Sequence, residues 1–195
     1  MTHTLHRPAG WSLIAGTLVA TAGYVATGML DVTDRLYQPF YGVALGGDLL
    51  IVLGLPVILA HRARAARLTV VGYVGLLATM VMLNLGEGVI EAFAKPYLAT
   101  HGGIPEEAPG GLAVYESVAL LCLVAGLICL GIAVIRARVF PIWVGVLLIL
   151  SPVAGFVGLS GALALTSDYL AFAALFGIGL HVVTDRVPRP ALSMA

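Results

Sequence analysis

The sequence has few charged residues and few cysteines. Asp, Glu, Lys and Arg make up only 10% of its 195 residues, against about 25% in soluble domains. This scarcity argues against an ordinary soluble domain, and a net charge of zero without a basic arm argues against a nucleic-acid partner. Cys122 and Cys129 lie two helical turns apart on one apolar segment, too far apart for a disulfide. We expect both to be small packing residues.

Motifs for metal-dependent chemistry are also missing. The sequence has no Glu-x-x-His or His-x-x-x-His pair for a metal centre, and no Asp-Asp-x-x-Asp run to hold magnesium on a diphosphate. The Asp-x-Asp-Asp motif of soluble protonating cyclases is absent as well. His61 and His181 lie far from the acidic residues along the predicted helices. We therefore expect no metal and no cofactor.

Long apolar segments are what the sequence has in abundance. Hydrophobic residues make up 60% of the chain, and the mean hydropathy is +1.03. A helix of about 20 apolar residues crosses a hydrocarbon core of about 30 Å, whereas a transmembrane barrel would show apolar and polar residues in alternation. The sequence therefore predicts a single all-α domain, a bundle of six transmembrane helices in a polytopic membrane protein. The predicted spans are about 11–30, 43–60, 68–94, 112–135, 141–164 and 167–184.

The basic residues predict the orientation of these spans. Eight of the ten lie at one end of the bundle, which should be the cytoplasmic end. We therefore expect both termini in the cytoplasm and a multi-pass protein of a bacterial-type plasma membrane. A cleaved signal peptide is the alternative for the N-terminus, because small residues at 20–22 follow an apolar run, but that run continues to Leu30.

Four acidic residues lie inside the predicted spans. They are Asp48 in the second span, Glu87 and Glu91 in the third, and Glu116 in the fourth. A charged residue at the centre of a bilayer costs about 2.5–3.5 kcal/mol on insertion scales. With a rise of 1.5 Å per residue, all four fall in the outer third of the membrane. This shared depth predicts one common polar layer.

The third span carries the clearest polar pattern. Asn84, Glu87, Glu91 and Lys95 follow i, i+3, i+7, i+11 spacing, which on an α-helix predicts one stripe facing the bundle interior. Lys95 can form an ion pair with Glu91, which offers a purely structural role for Glu91. Glu87 is deeper and has no basic partner on its helix. An apolar environment favours its neutral form, which can donate a proton.

These residues predict an enzyme acting on a lipophilic small molecule in the bilayer. Glu87 or Glu116 would be the catalytic acid, Asp48 its partner or the base, and Glu91 a further catalytic candidate. Asn84 would orient the substrate by hydrogen bonding. Aromatic rings at matching depths would stabilise a carbocation by cation–π contact. The predicted substrate-binding residues are Asn84, Tyr24, Tyr115, Tyr169 and Phe172.

Two other functions remain open at this stage. The acids are also suited to a proton- or cation-coupled transporter or channel, although the inner halves of spans two to four contain almost no polar residues. A non-catalytic membrane assembly protein could use the same acids only to hold helices together. The sequence does not indicate an oligomeric state.

The overall architecture resembles the small bacterial membrane-bound terpene cyclases. The features shared are the small size, six glycine-rich spans, Ala/Arg-rich inner loops, and the isolated intramembrane residues Asp48, Glu87 and Glu116. The resemblance covers the architecture of the whole chain and includes no diagnostic motif. It implies metal-independent, proton-initiated cyclisation of a prenyl chain on an indole-containing scaffold, with one of these acids as the proton donor.

Overall fold

The computed structural model describes residues 6–60, 66–103, 110–156 and 166–184, and this part of the chain contains helices and no strand. The all-α prediction is therefore confirmed for these residues. Two segments of the third predicted span are π-helical, which no sequence pattern predicted. The elements are α1 His6–Thr27, α2 Tyr37–Gly54, α3 Pro56–Ala60, α4 Ala66–Thr79, π1 Met80–Glu87, π2 Ile90–Ala94, α5 Lys95–His101, α6 Gly110–Ala137, α7 Ile142–Phe156 and α8 Thr166–Thr184.

Five continuous helices in the described ranges are long and apolar enough to cross a membrane, and a sixth apolar helix, Ile142–Gly155, is shorter. Residues 157–164, the second half of the predicted fifth span, lie outside the described residues. The protein therefore has the helices of a multi-pass membrane protein. The five long helices are Arg7–Thr27, Tyr37–Ala60, Arg67–His101, Gly110–Ala137 and Ser167–Thr184.

The third of these helices is longer than predicted. The predicted span ends at about residue 94, but the helix continues to His101, so the predicted end is wrong. Pro96 lies at the start of α5, where a helix tolerates a residue without a backbone N–H. The backbone N–H of the preceding residue, Lys95, donates a hydrogen bond to the carbonyl oxygen of Ile90, five residues earlier in the chain. The π-helical hydrogen bonding that precedes the proline thus allows the helix to continue through Pro96 to His101.

The helices pack as a closed ring. α1 packs between α2 and α8, α7 packs between α8 and α6, and α6 packs against α4. π1 and π2 complete the ring by packing against α2. The chain therefore surrounds a central axis to which each of the six apolar segments contributes one wall.

Close helix crossings depend on glycine. Gly42 and Gly46 have the small-xxx-small spacing typical of such crossings, but a Cβ on either would meet nothing within 4 Å, so they do not form one among the described residues. They lie on the outer face of α2. The contact with α1 uses Gly23, where a Cβ would come within 2.6 Å of the Ala44 nitrogen, and Gly47, where it would overlap the Ala20 backbone.

One half of the bundle is filled by a dry hydrophobic core. This half contains the start of α1, the end of α2 and the end of α8. Leu13, Leu55, Leu130, Leu148 and Ile178 are fully buried there and belong to one continuous cluster. The acidic residues of the spans lie toward the other half.

Candidate functional site

The polar half of the bundle contains a partly open cavity of about 270 Å³. All six apolar segments contribute to its wall, because the cavity lies at the centre of the ring. Its lining combines carboxyl groups, tyrosine rings and aliphatic side chains. The lining residues are Tyr24, Tyr41, Leu76, Thr79, Met80, Leu83, Asn84, Glu87, Gly88, Glu91, Leu123, Ser151, Asp168, Tyr169, Ala171 and Phe172.

Asp48 lies directly behind the cavity wall. Its side chain is fully buried and does not line the cavity. Tyr24 Oη donates a hydrogen bond to Asp48 Oδ2 at 2.5 Å, and Asn84 Nδ2 donates to Oδ1 at 3.4 Å. The carboxylate therefore joins α1, α2 and π1, and it is connected to the cavity through its two hydrogen-bond donors, Tyr24 and Asn84, which both line it.

Tyr24 is also the centre of an aromatic cluster. Its ring is stacked on Phe172, with centroids 6.3 Å apart and planes at 14°. Tyr41 meets Tyr24 edge-on at 5.7 Å and 86°, which is a favoured arrangement of aromatic rings. Tyr41 was missed as a site residue. Its position seven residues before Asp48, two helical turns away on the same face, was the signal that could have found it.

The acidic segment of the third helix is π-helical. π1 carries Asn84 and Glu87, and π2 carries Glu91. The expected α-helical spacing of this stripe is therefore wrong, although all three side chains line the cavity. π-helical turns are rare and occur frequently at functional sites. The π backbone is thus an independent sign that this wall is specialised.

Glu91 and Lys95 form the ion pair expected from their spacing. Lys95 Nζ donates to both carboxylate oxygens of Glu91, at 2.8 and 3.0 Å. The two side chains are 35% and 29% exposed. A pair this accessible is worth at most about 1 kcal/mol. Its main effect on the cavity is to neutralise the charge of Glu91.

Glu87 lines the cavity without an ion-pair partner among the described residues. Its carboxyl group is half-buried and close enough to Glu116 and Glu91 to be repelled by both. Glu116 itself, on α6, does not line the cavity. The structure therefore brings Glu87 and Glu116 near each other but gives only Glu87 a wall position.

Tyr115 and Tyr169 have different surroundings. Tyr115, predicted to bind substrate, does not line the cavity, because its hydroxyl donates to Met82 O at 2.7 Å and so supports π1 from α6. Tyr169 does line the cavity, next to Phe172 on α8. Of the nine predicted site residues, the cavity wall contains Tyr24, Asn84, Glu87, Glu91, Tyr169 and Phe172.

The wall on α7 and α8 includes two polar residues, Ser151 and Asp168, that the sequence did not single out as site residues. Asp168 lines the cavity and interacts electrostatically with Asp48 and Tyr169. Asp168 lies in the first turn of α8, and no sequence pattern singled it out. Ser151 donates to Ser167 O, and Ser167 donates to Ser151 O, both at 2.9 Å. These bonds hold α7 and α8 together beside the cavity.

One acidic residue outside the helices has a defined role in a turn. Asp31 follows α1 and accepts hydrogen bonds from the backbone N–H of Thr33 at 3.0 Å and from its hydroxyl at 2.9 Å. The backbone bond first, and the hydroxyl bond second, lower the pKa of Asp31. The residue is exposed and lies away from the cavity, so it belongs to the turn and not to the site.

Within the ranges that the structure describes, no group of three or more His, Cys, Asp or Glu side chains is placed to hold a metal ion. Comparison of the chain with protein-family models, with curated proteins and with solved structures gives no match.

Proposed function

We propose that this chain is a membrane-embedded enzyme that uses a carboxylic acid to protonate a lipophilic, prenylated substrate, most concretely a metal-independent terpene cyclase. The observation that carries the proposal is the central cavity, which combines an acidic π-helical wall with stacked tyrosine and phenylalanine rings. Protonation of an alkene needs a positioned acid, and the resulting carbocation needs electron-rich surfaces that exclude water.

Glu87 is assigned as the acid. It lines the cavity, and unlike Glu91 it forms no ion pair with any residue that the structure describes. Its proton is transferred to the CH carbon of the terminal alkene of the prenyl chain. The π electrons of that alkene form the new C–H bond and leave a tertiary carbocation on the neighbouring carbon. A second alkene of the same chain attacks this cation and closes a ring. The substrate and the product are isomers, so no co-reactant is required.

The final proton leaves through Tyr24. A C–H bond next to the cation breaks, its electrons form the product alkene, and the proton is taken by Tyr24 Oη as the hydroxyl proton moves to Asp48. The 2.5 Å hydrogen bond between these two groups supports this transfer. Proton exchange with solvent then returns Glu87 and Asp48 to their starting states.

The size of the cavity and the dry core support an enzyme over a permeation path. An apolar cavity of about 150 Å³ accommodates benzene, so 270 Å³ accommodates the reacting end of a prenyl chain. The other half of the bundle is closed by buried leucine and isoleucine side chains. We also propose six spans in a bacterial-type plasma membrane with both termini cytoplasmic, so that the cavity is nearer the outer leaflet.

The test is an isotope experiment on membranes that contain the full chain. Farnesyl- and geranylgeranyl-substituted indoles are incubated in D₂O, and products are analysed by liquid chromatography and mass spectrometry. Cyclisation started by a solvent-exchangeable acid gives an isomer that contains one deuterium. We expect Glu87→Gln to lower the yield at least about 100-fold, in line with the usual contribution of a general acid.

Glu91→Gln is the matched control, because it removes a neighbouring carboxylate that is already paired with Lys95. It should retain most of the activity. Unchanged cyclisation by Glu87→Gln contradicts the acid assignment. If no substrate in the series is cyclised while the acid variants lose only stability, the acids hold helices together and the enzyme proposal is wrong.

A further inference from the structure

An apolar groove of about 230 Å³ lies on the outside of the bundle, between α1 and α8. Thr17 and Leu18 line it from α1, and Ala173 and Phe176 line it from α8. The Thr17 hydroxyl is already used, because it donates to two carbonyl oxygens of its own helix, at 2.8 and 3.0 Å. Leu18 is 58% exposed and Ala173 is exposed as well. The groove is therefore an apolar recess in the surface that these two apolar helices present to a bilayer.

The groove exists because α1 and α8 touch closely at one end only. Near the start of α1 and the end of α8, a Cβ on Gly179 would come within 2.8 Å of the Gly10 carbonyl oxygen. From Thr17 onwards the two helices leave room for the groove. The close glycine contact thus fixes the helix pair, and the space between the helices lies toward the half of the bundle that contains the cavity.

Two aromatic residues separate the groove from the central cavity. Tyr169 and Phe172 line both spaces. Phe172 is buried and stacked on Tyr24, with ring centroids 6.3 Å apart. Tyr169 is only half-buried. A rotation of the Tyr169 side chain would therefore join the two spaces while the stacked pair of rings stays in place.

The proposed substrate is larger than the cavity. An apolar cavity of about 150 Å³ accommodates benzene, a molecule of six carbon atoms. By the same proportion the cavity holds about 11 non-hydrogen atoms and the groove about 9, whereas a farnesyl-substituted indole has about 24. More than half of such a molecule must therefore lie outside the cavity, and the groove is the apolar space that shares a wall with it.

We infer that the groove between α1 and α8 is a second binding site, for the part of the prenylated indole that the central cavity does not hold. The inference rests on the proposed function, because it takes the prenylated indole from it. The reacting end lies in the cavity, the chain passes beside Tyr169, and the indole body lies in the groove. Lipid tails provide no hydrophobic driving force, so van der Waals packing against Phe176 and the two shared rings holds the body there.

The experiment is photocrosslinking to the purified full chain in dodecyl maltoside micelles. The probe is a farnesyl-substituted indole with a diazirine on its indole ring and a reduced terminal alkene, so that it binds without reacting. Labelled positions are identified by protease digestion and mass spectrometry. We expect labels on α1 near Leu18 and on α8 near Ala173, and an excess of unlabelled farnesylindole should remove them. Labels elsewhere, or labels that the excess does not reduce, would overturn the inference.

A pair of variants locates the site. Ala173→Phe fills the groove without changing the cavity wall, because Ala173 is exposed and lines the groove but not the cavity. Ala113→Phe makes the same change at an exposed position on α6, away from both spaces. Competable labelling should fall about tenfold in the first variant, the factor that the overlap of one added side chain predicts, and stay unchanged in the second. Equal labelling of the two variants contradicts the assignment.

A lipid probe tests the alternative occupant. Phosphatidylcholine with a diazirine in its acyl chain should label the groove no more than the other lipid-facing surfaces. If it labels the groove selectively and an excess of unlabelled phosphatidylcholine removes these labels, the groove is a lipid site and the inference is wrong.

The two proposals fail separately, because the probe does not react and its labels do not depend on catalysis. Cyclisation by a chain whose groove stays unlabelled would leave the enzyme proposal standing and refute the second binding site. Competable labels in the groove without cyclisation of any prenylated indole would support the binding site and refute the cyclase.

Discussion

The bond between Tyr24 and Asp48 offers the sharpest test of the polar layer. Tyr24→Phe removes the hydroxyl and keeps the ring, so the stacking on Phe172 persists. Hydrogen bonds to charged groups contribute about 1.5–3 kcal/mol, whereas side-chain bonds in a helical membrane protein average about 0.6 and reach about 1.7 kcal/mol. Asp48 is 0% exposed, and its other hydrogen bond is 3.4 Å long. We therefore expect Tyr24→Phe to lower the free energy of unfolding by about 1.5 kcal/mol, near the upper end of the membrane-protein values. This corresponds to about tenfold in the unfolding equilibrium constant.

The measurement is equilibrium unfolding in mixed dodecyl maltoside and dodecyl sulfate micelles, followed by circular dichroism. Tyr41→Phe is the matched control, because Tyr41 makes ring contacts and its hydroxyl forms no hydrogen bond with the residues that the structure describes. A double-mutant cycle with Asp48→Leu should give a coupling of similar size, since replacing both partners leaves no buried charge unsatisfied. Equal stabilities of the two phenylalanine variants, or a coupling near zero, would refute the assigned bond.

Three further outcomes follow from the packing and the turn. Gly47→Ala should destabilise the bundle by about 1–3 kcal/mol because its Cβ overlaps α1, while Gly46→Ala, with open space at its Cβ, should be neutral in the same unfolding assay. Tyr115→Phe should speed hydrogen exchange in π1, because a carbonyl of that segment loses its 2.7 Å partner. Thr33→Ala should raise the pKa of Asp31 partway toward its ordinary value in an NMR titration, since the backbone bond remains. Because that pKa is lowered in the folded protein, the linked stability is present at neutral pH and is lost as the pH falls through it.

The helices could be predicted from the sequence because their signal is long and continuous. Each apolar run is a signal averaged over many residues. The all-α class and the approximate positions of the helices therefore follow from the lengths and positions of these runs. The predicted first and last residues of the helices were less accurate. α2 begins at Tyr37 and not at 43, because aromatic residues ahead of the apolar core continue the helix. Short amphipathic segments carry both loop and helix signals, and only packing decides between them.

The site was predictable only in part, because depth along a helix is easier to infer than direction around it. Asp48 and Glu87 were placed in one layer, and in the structure Asp48 is hydrogen-bonded to Tyr24 and Asn84, which line the same cavity as Glu87. Which of them faces the cavity depends on rotations of a few tens of degrees. The π-helical turns change those rotations locally, and no residue pattern in 80–94 announced them.

The ring closes through the contact between α1 and α8, the first and last helices that the structure describes. A nascent chain enters the membrane from its N-terminal side, so Tyr24 is in the bilayer long before Phe172, Tyr169 and Asp168 have been synthesised. Until α8 is synthesised, the cavity lacks the wall that Asp168, Tyr169 and Phe172 supply. The cavity is thus complete only once α8 has packed against α1. A substitution that weakens the α1–α8 contact would leave most helices inserted and would remove the site as a whole.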